Sequence, residues 1–428
     1  MTSSATPAPS PEAPPARAPL LPLADALARL LAQVRPLPFT EAQTVSTFEA
    51  LGRVLADDVR SLVDVPPADN SAMDGYALRL ADLVSTDGAA PVLPVGQRIA
   101  AGSVPAALEP GTCARIFTGA PVPGGADAVV MQEHCEALPG AVRILRIPVL
   151  GQAIRRRGED VQANATVLAR GTRLSPQALG LAASVGKASL PVMRRPRVAL
   201  FSTGDELAMP GETLKPGAIY NSNRYTLRAL AEAMGCECTD YGIVPDRLDA
   251  TREMLRRAAH GHDLVVTSGG VSVGEEDHLR PAVQAEGRLD LWQIAIKPGK
   301  PLAFGSLRRP AGEDGQAWFV GLPGNPVSSF VTFLLAVRPL LHRLQGRNLT
   351  ALPLGVVQRA DFDWPADRRR EFLRVRRNPQ GGLDLHPHQG SGVLTSTVWG
   401  EGLVDNPAGQ AITRGDGVRY IAFHEWFE

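Results

Sequence analysis

Lysine is nearly absent. Of 44 basic residues only Lys187, Lys215, Lys297 and Lys300 are lysines, leaving 40 arginines (44 minus 4). A chain with that preference uses arginine wherever either cation would serve, so the two lysines packed into Lys297-Pro-Gly-Lys300 stand out. Cysteine is scarce too. Cys113, Cys135, Cys236 and Cys238 show no CxxC spacing and no density worth calling a disulfide framework, and read as reduced and structural. Net charge is zero, with 44 acidic residues against 44 basic, which removes support for a nucleic-acid or polyanion surface. No uninterrupted apolar run looks long enough to cross a bilayer, and the N-terminus lacks the basic start and apolar stretch of a signal peptide. A cytoplasmic protein without membrane or nucleic-acid partners is expected. Walker A, HExxH and paired-cysteine zinc patterns are missing, as is a G-x-S-x-G elbow, which weighs against P-loop, zinc and α/β-hydrolase chemistry. His386 and His388 alternate on an apparent strand but have no third partner for a metal.

The 428 residues suggest two to four domains. Residues 1–19 are Pro, Ala and Ser with almost no large apolar side chain, and are expected as a disordered tail. Helical spacing runs from Leu20 to Val34 and again from Thr47 to Val59. Together with residues 159–195, where a short helix spans Ser175 to Val185, residues 20–61 form an expected linker or dimerisation domain. Residues 62–158 alternate in short runs broken by Gly and Pro, such as VLPVGQRI, TCARIFTGAPVP and DAVVMQE, and predict a β-rich domain. Residues 196–345 alternate strand and helix, which indicates a doubly wound α/β domain. It ends in a long apolar helix with Asn325 as cap, Pro326 in its first turn, Pro339 as a possible kink and Arg338 arguing against a membrane span. Residues 346–428 predict a C-terminal β-barrel-like domain, including a strand in VLTSTVW. The fold class is thus multidomain α/β, a central doubly wound domain flanked by β-rich parts.

The stretch Asp263 to His278, DLVVTSGGVSVGEEDH, orders the chemistry. A β-branched run is stopped by small residues, two glycines permit a tight turn, and acidic residues open a helix. Such a loop is a candidate anion cradle. Glu206, Asp246 and Asp277 all follow strands, where ligands gather in doubly wound folds. Carboxylates beside a phosphate cradle would repel it unless Mg²⁺, a hard cation, bridged them. The residues alone suggest phosphate-ester chemistry with Mg²⁺. Thr118, at a strand end beside a forced turn, and Asp160, in the run Arg155 to Asp160, read locally as a cap and a solvated surface.

Eight motifs in order, DNSAMDGYA, RIFTGAPVP, GEDV, STGDEL, YNSN, TSGGVSVGEEDH, KPGKPLAFG and GLPGNPVS, resemble the molybdopterin molybdenumtransferase family, also found as the C-terminal domain of gephyrin. The resemblance covers about residue 20 to the C-terminus. It implies insertion of molybdate into adenylylated molybdopterin with Mg²⁺, releasing AMP and molybdenum cofactor. It also implies a homodimer, sites assembled from several domains and both chains, and contact with other proteins of molybdenum cofactor biosynthesis. Carried over by motif, Asp277 and Glu206 belong to the Mg²⁺ and pyrophosphate region. Gly269, Gly270, Ser272 and Gly274 hold substrate. Lys297, Lys300 and Ser328 receive molybdate, with Arg369 and Ser391 reaching in, Pro301 is a further substrate-binding position, and Asp246 shares the cleft. Asp74, Thr118 and Asp160 match further positions the family uses, which reverses the local readings of Thr118 and the GEDV run. Three alternatives remain: a molybdopterin adenylyltransferase, which would not need NSAMDGYA or the flanking β modules, a non-catalytic scaffold of the gephyrin type, and a protein whose similar central domain acts on another nucleotide.

Overall fold

A computed structural model describes residues 20–84, 89–270, 278–347 and 352–427. The chain divides into two compact units. One comprises Ala42–Val192; the other combines the segment up to Glu41 with Met193–Glu428.

The Ala42–Val192 unit is tied off by its own ends, where Gln43–Ser46 pairs antiparallel with Ser189–Val192. Its body is a six-stranded sheet of β1 (Gly75–Leu78), β2 (Val92–Ile99), β3 (Cys113–Ile116), β4 (Ala128–Met131), β5 (Cys135–Leu138) and β6 (Ala141–Ile144), in the order β4-β1-β3-β2-β6-β5. Alternation decides which side chains enter which core. Tyr76, Leu78 and Val130 pack on one face with Cys113, whereas Ala77, Ile116 and Val129 pack on the other. The expected helix from Thr47 to Val59 does not form. Thr47–Glu49 is a single 3₁₀ turn, Gly52 turns the chain at φ 74°, and Val54 and Leu55 make isolated β-bridges. Those two are buried while Phe48 is 95% exposed, so the apolar spacing served two different faces. The helix near 175 does form, at Pro176–Ser184, with the Ser175 side chain accepting from the Ala178 amide.

In the other unit, helix α1 (Leu23–Gln33) follows a segment whose Leu21 bonds to Gln293 and Ala295. A second six-stranded sheet contains β7 (Arg197–Thr203), β8 (Glu237–Val244), β9 (Leu264–Ser268), β10 (Gly287–Gln293), β12 (Pro301–Arg308) and β13 (Gln316–Leu322), in the order β8-β7-β9-β13-β12-β10. The first four of that order run parallel; β12 and β10 are antiparallel additions. Helices α4 (Leu248–Ala259) and α5 (Leu279–Glu286) pack against Ala199, Phe201, Val265 and Phe319. Helix α3 (Ser222–Ala233), capped by Asn221, buries Leu227 and Leu230. Burial of all five β9 residues explains their unbroken apolar and small character.

Helix α6 (Pro326–Thr332) follows β13, passes through a π-helical turn at Phe333–Val337, and continues as α7 (Arg338–Leu344). The irregularity therefore precedes Pro339, which sits in the first turn of α7. Asn325 occupies the cap position without a side-chain cap bond. Contrary to expectation, Pro326–Leu344 is long and apolar enough to span a bilayer by composition, but 89% of that window is buried within the protein. It is a core helix. A barrel follows, formed by β14 (Val356–Ala360), β15 (Arg370–Arg377), β16 (Gly382–Leu385), β17 (Gly402–Asn406) and β18 (Gly417–Ala422). It closes where β15 pairs with β17. Strand β11 (Ile296–Lys297), from the segment before β12, adds itself in parallel to β15. Within VLTSTVW the expected strand is instead the short helix Thr395–Trp399. The four cysteines are unpaired; burial pushes Cys113 up to about 12 and Cys135 and Cys238 up to about 11, so none presents a thiolate near neutrality.

Candidate active site

Chain order and sheet order disagree around β7. Strand β8 follows β7 but lies on one side of it, whereas β9 lies on the other, which makes the β7/β9 carboxyl edge a topological switch point. A cleft of about 640 Å³ opens there, lined by Thr203, Gly204 and Glu206 after β7, Asp246 after β8, and Gly269 and Gly270 after β9. A neighbouring cavity of about 500 Å³ shares Thr203, Glu206, Gly269, Gly324 and Asn325 with it. Asn223 fastens the rim between them, donating to Ser268 Oγ at 2.9 Å and to the Gly324 carbonyl at 2.7 Å.

The glycine loop differs from a simple anion cradle. Gly269 turns at φ 94°, but its N–H is spent on the Leu322 carbonyl at 3.1 Å. It supplies close approach rather than a donor: a Cβ there would lie 2.7 Å from the Thr203 carbonyl oxygen. Ser272, Gly274 and Asp277, with the rest of GVSVGEED beyond Gly270, lie outside the described residues.

Facing this edge is the lysine loop. Lys297, Lys300, Pro301 and Ser328 all line the cleft, joined by Arg369 and Ser391 from the barrel. Lys297 lies on β11, in register with Glu371. Its ammonium meets Glu371 Oε1 at 2.9 Å and Asp367 Oδ2 at 3.2 Å. Desolvation works against the charge on Lys297, but the hydrogen bonds to Glu371 and Asp367 prevail and its pKa is raised. Glu371 is 1% exposed and also accepts from Trp364 Nε1 at 2.7 Å. Asp367 receives the backbone and side chain of Arg369, at 2.9 Å and 3.2 Å. Its carboxyl is held far below the usual aspartate range, chiefly by the Arg369 side chain. One carboxylate therefore positions two cleft cations. Lys300 forms no ion pair or side-chain hydrogen bond among the described residues, which leaves it the cation open to an anion. The barrel loop is clipped in place by Gln389, which exchanges hydrogen bonds with the Arg374 backbone, while the Ser391 carbonyl accepts the Val327 amide at the start of α6.

The oxygen-rich set suits Mg²⁺. Glu206 exposes a carboxylate with no side-chain partner among the described residues, and Thr203 Oγ1, in a residue 5% exposed, is buried without a hydrogen bond. Among the described residues no group of three or more His, Cys, Asp and Glu could hold a metal by itself. Such a sparse site fits an ion that keeps several of its own waters and shares substrate phosphates. His386 Nδ1 lies 3.0 Å from the His388 carbonyl oxygen and 3.1 Å from the His388 amide nitrogen, which ties the two residues together in a turn.

Asp74, Thr118 and Asp160 belong to the Ala42–Val192 unit. Asp74 Oδ1 accepts both the Thr118 amide and its hydroxyl at 2.8 Å. Arg156 and Arg157 are held by Asp69 and Asp64, each at 2.6 Å, and Asp160 is exposed beside them.

The chain is similar to known proteins along most of its length. The MoeA N-terminal region (domain I and II) matches residues 21–186, the probable molybdopterin binding domain residues 199–343, and the MoeA C-terminal region (domain IV) residues 358–423. A Haemophilus influenzae protein named molybdopterin molybdenumtransferase is 42% identical over 330 residues, covering 77% of this chain and 79% of the relative. The chain belongs to the molybdopterin molybdenumtransferase family. A Nostoc relative of the same name is 38% identical over 334 residues, covering 77% of this chain and 76% of its own. The crystal structure of the molybdopterin biosynthesis moeA protein of Pyrococcus horikoshii OT3 superposes with a TM-score of 0.80 at 30% identity, covering 95% of this chain and 100% of that one. Five of the motifs quoted above, STGDEL, YNSN, TSGGVSVGEEDH, KPGKPLAFG and GLPGNPVS, supply residues to the cleft and its neighbouring cavity, whereas DNSAMDGYA, RIFTGAPVP and GEDV lie in the Ala42–Val192 unit. The motifs pass over Asp367, Glu371 and Gln389, whereas Asn223 closes YNSN. Asp367 carried a faint signal, an acid immediately before three arginines, whereas the cage around Lys297 depends on a strand pairing that spacing does not reveal.

Proposed function

We propose that the chain is a molybdopterin molybdenumtransferase that inserts molybdate into adenylylated molybdopterin and releases AMP. The observation that carries this reading is the grouping of Lys297, Lys300, Arg369 and Ser391 in one cleft with Glu206 and Asp246. Cations and hydroxyls suit a tetrahedral oxyanion, and the acids suit a metal-bridged phosphate. Lys300, unpaired among the described residues, would bind molybdate directly. Lys297 and Arg369, fixed by Asp367, would orient it without binding so tightly that release is blocked. Glu206, with Asp277 and Asp246, would hold Mg²⁺, which neutralises the pyrophosphate link to AMP. The glycine turn brings substrate against the strand edge. No side-chain nucleophile is required: the two dithiolene thiols bind molybdenum with loss of one molybdate oxygen as water, and a water molecule hydrolyses the phosphoanhydride, which releases AMP and leaves the pterin phosphate.

The test is AMP release from purified protein given adenylylated molybdopterin, Mg²⁺ and molybdate, omitting each in turn. Release that depends on molybdate is expected, and Glu206→Gln should raise the Mg²⁺ concentration needed by about tenfold or more. Binding without release, or release indifferent to molybdate, would reject the transferase reading.

A homodimer accords with this reading. Phe48, Ile219, Tyr220 and Tyr225 are exposed apolar side chains that a second copy could cover. Sedimentation should give about twice the 45.4 kDa subunit mass, and a single-subunit mass at micromolar concentration would reject it.

A further inference from the structure

The Ala42–Val192 unit carries a charged feature that none of the cleft chemistry uses. Arg98 on β2 and Arg115 on β3 stand opposite one another in a parallel register. Like charges so placed repel. Neither forms an ion pair among the described residues. They share a ring instead, the Phe117 centroid lying 4.5 Å from Arg98 Cζ and 4.9 Å from Arg115 Cζ. Arg115 is also 5.1 Å from the ring of Tyr76, its cross-strand neighbour on β1. Its guanidinium is fixed by the Gly75 carbonyl at 3.4 Å and Gln132 Oε1 at 2.6 Å, whereas Arg98 is exposed.

The next residue after the shared ring is Thr118, bonded to Asp74. The Thr118 amide is the main cause that lowers the Asp74 pKa, with its hydroxyl second and the charge of Arg115 a smaller contribution. One strand end therefore presents two guanidiniums, an aromatic face and an ionised carboxylate. Guanidinium forks match phosphate oxygens, and two of them side by side match two linked phosphates. Unlike Arg156 and Arg157, neither member of this pair forms an ion pair among the described residues, so a bound anion would relieve the repulsion that the register imposes.

We propose that Arg98 and Arg115 form a ledge that binds the pyrophosphate group of a nucleotide, independently of the chemistry in the cleft. The Asp74 carboxylate bounds the ledge and disfavours a bare anion, so Mg²⁺-pyrophosphate should bind better than pyrophosphate alone.

Arginine-selective modification of the full chain with phenylglyoxal, read by peptide mass mapping, tests the ledge locally. Added Mg²⁺-pyrophosphate should slow modification of Arg98 and Arg115 severalfold at constant ionic strength, and leave exposed Arg60 unchanged. Equal rates with and without pyrophosphate overturn the proposal. Arg98→Gln, at an exposed position, should weaken binding of Mg²⁺-ADP, measured by calorimetry, about tenfold, one charge-assisted hydrogen bond's worth. Arg115→Lys, which keeps the charge but loses the fork, should also weaken it. Unchanged affinity in both variants overturns the proposal. Because neither measurement requires turnover, a wild-type chain that released no AMP would sink the transferase reading and leave the ledge to be judged by protection and binding.

Discussion

Gly269→Ala should destabilise the α/β and barrel unit by about 2 to 5 kcal/mol and abolish AMP release. A left-handed backbone costs a residue with a Cβ about 1–2 kcal/mol, and overfilling a packed site adds about 1–3 kcal/mol. Both apply at Gly269, where φ is 94° and the new carbon would lie 2.7 Å from the Thr203 carbonyl. That oxygen belongs to β7 and cannot swing aside as a side-chain tip would, so either β7 or β9 must shift, and the cleft lies between their ends. All five tryptophans fall within residues 292–426, so fluorescence on denaturant titration reports this unit alone. An unchanged midpoint with full turnover would mean that the loop relaxes freely and that the glycine is incidental.

Asp367→Asn should preserve the fold and lower kcat/KM by about 100-fold, the cost of misplacing a reacting group by roughly an ångström. Lys297 would retain Glu371, but Arg369 would lose the carboxylate that holds both its backbone and its guanidinium. The sign of the pH effect follows from the depressed folded-state pKa of Asp367. Its stabilising contribution is complete above the ordinary aspartate value of 3.8 and is lost as pH falls toward the lower folded value. The stability gap between wild type and Asp367→Asn should therefore be constant from about pH 5 to 8 and close in stronger acid. A gap that persisted unchanged to pH 2, or an Asn variant with wild-type turnover, would remove Asp367 from the positioning role.

Local signals in the sequence identified much of the central sheet. The run Leu264 to Val266 with its two glycines became β9 and its turn, and Asn221 capped α3 as its residue type suggests. Glu206 and Asp246 were legible because strand ends in an alternating pattern gather on one edge. Where several structures share one local pattern, the reading failed. Thr47 to Val59 has helical spacing, but Gly52 and pairing with distant segments direct Val54 and Leu55 inward by bridges instead. TSTVW has β-branched residues yet closes as a helical turn at the barrel mouth. The Lys297 cage was hidden for a similar reason. Its acids lie about 70 residues away in a charged run that looks solvated, and only the pairing of β11 with β15 brings them together.

Strand β11 gives the barrel a share in the chemistry of the sheet. By chain connectivity Lys297 belongs to the segment leading into β12, but by hydrogen bonding its backbone belongs to the barrel wall. The distance from Lys297 to Lys300, and so the span available to an oxyanion, is set by two structures pulling on one short loop. Without the barrel the same loop would keep its connection to β12 but lose its second anchor, so the placement of its two lysines depends on a domain that β7 and β9 do not need to form their sheet.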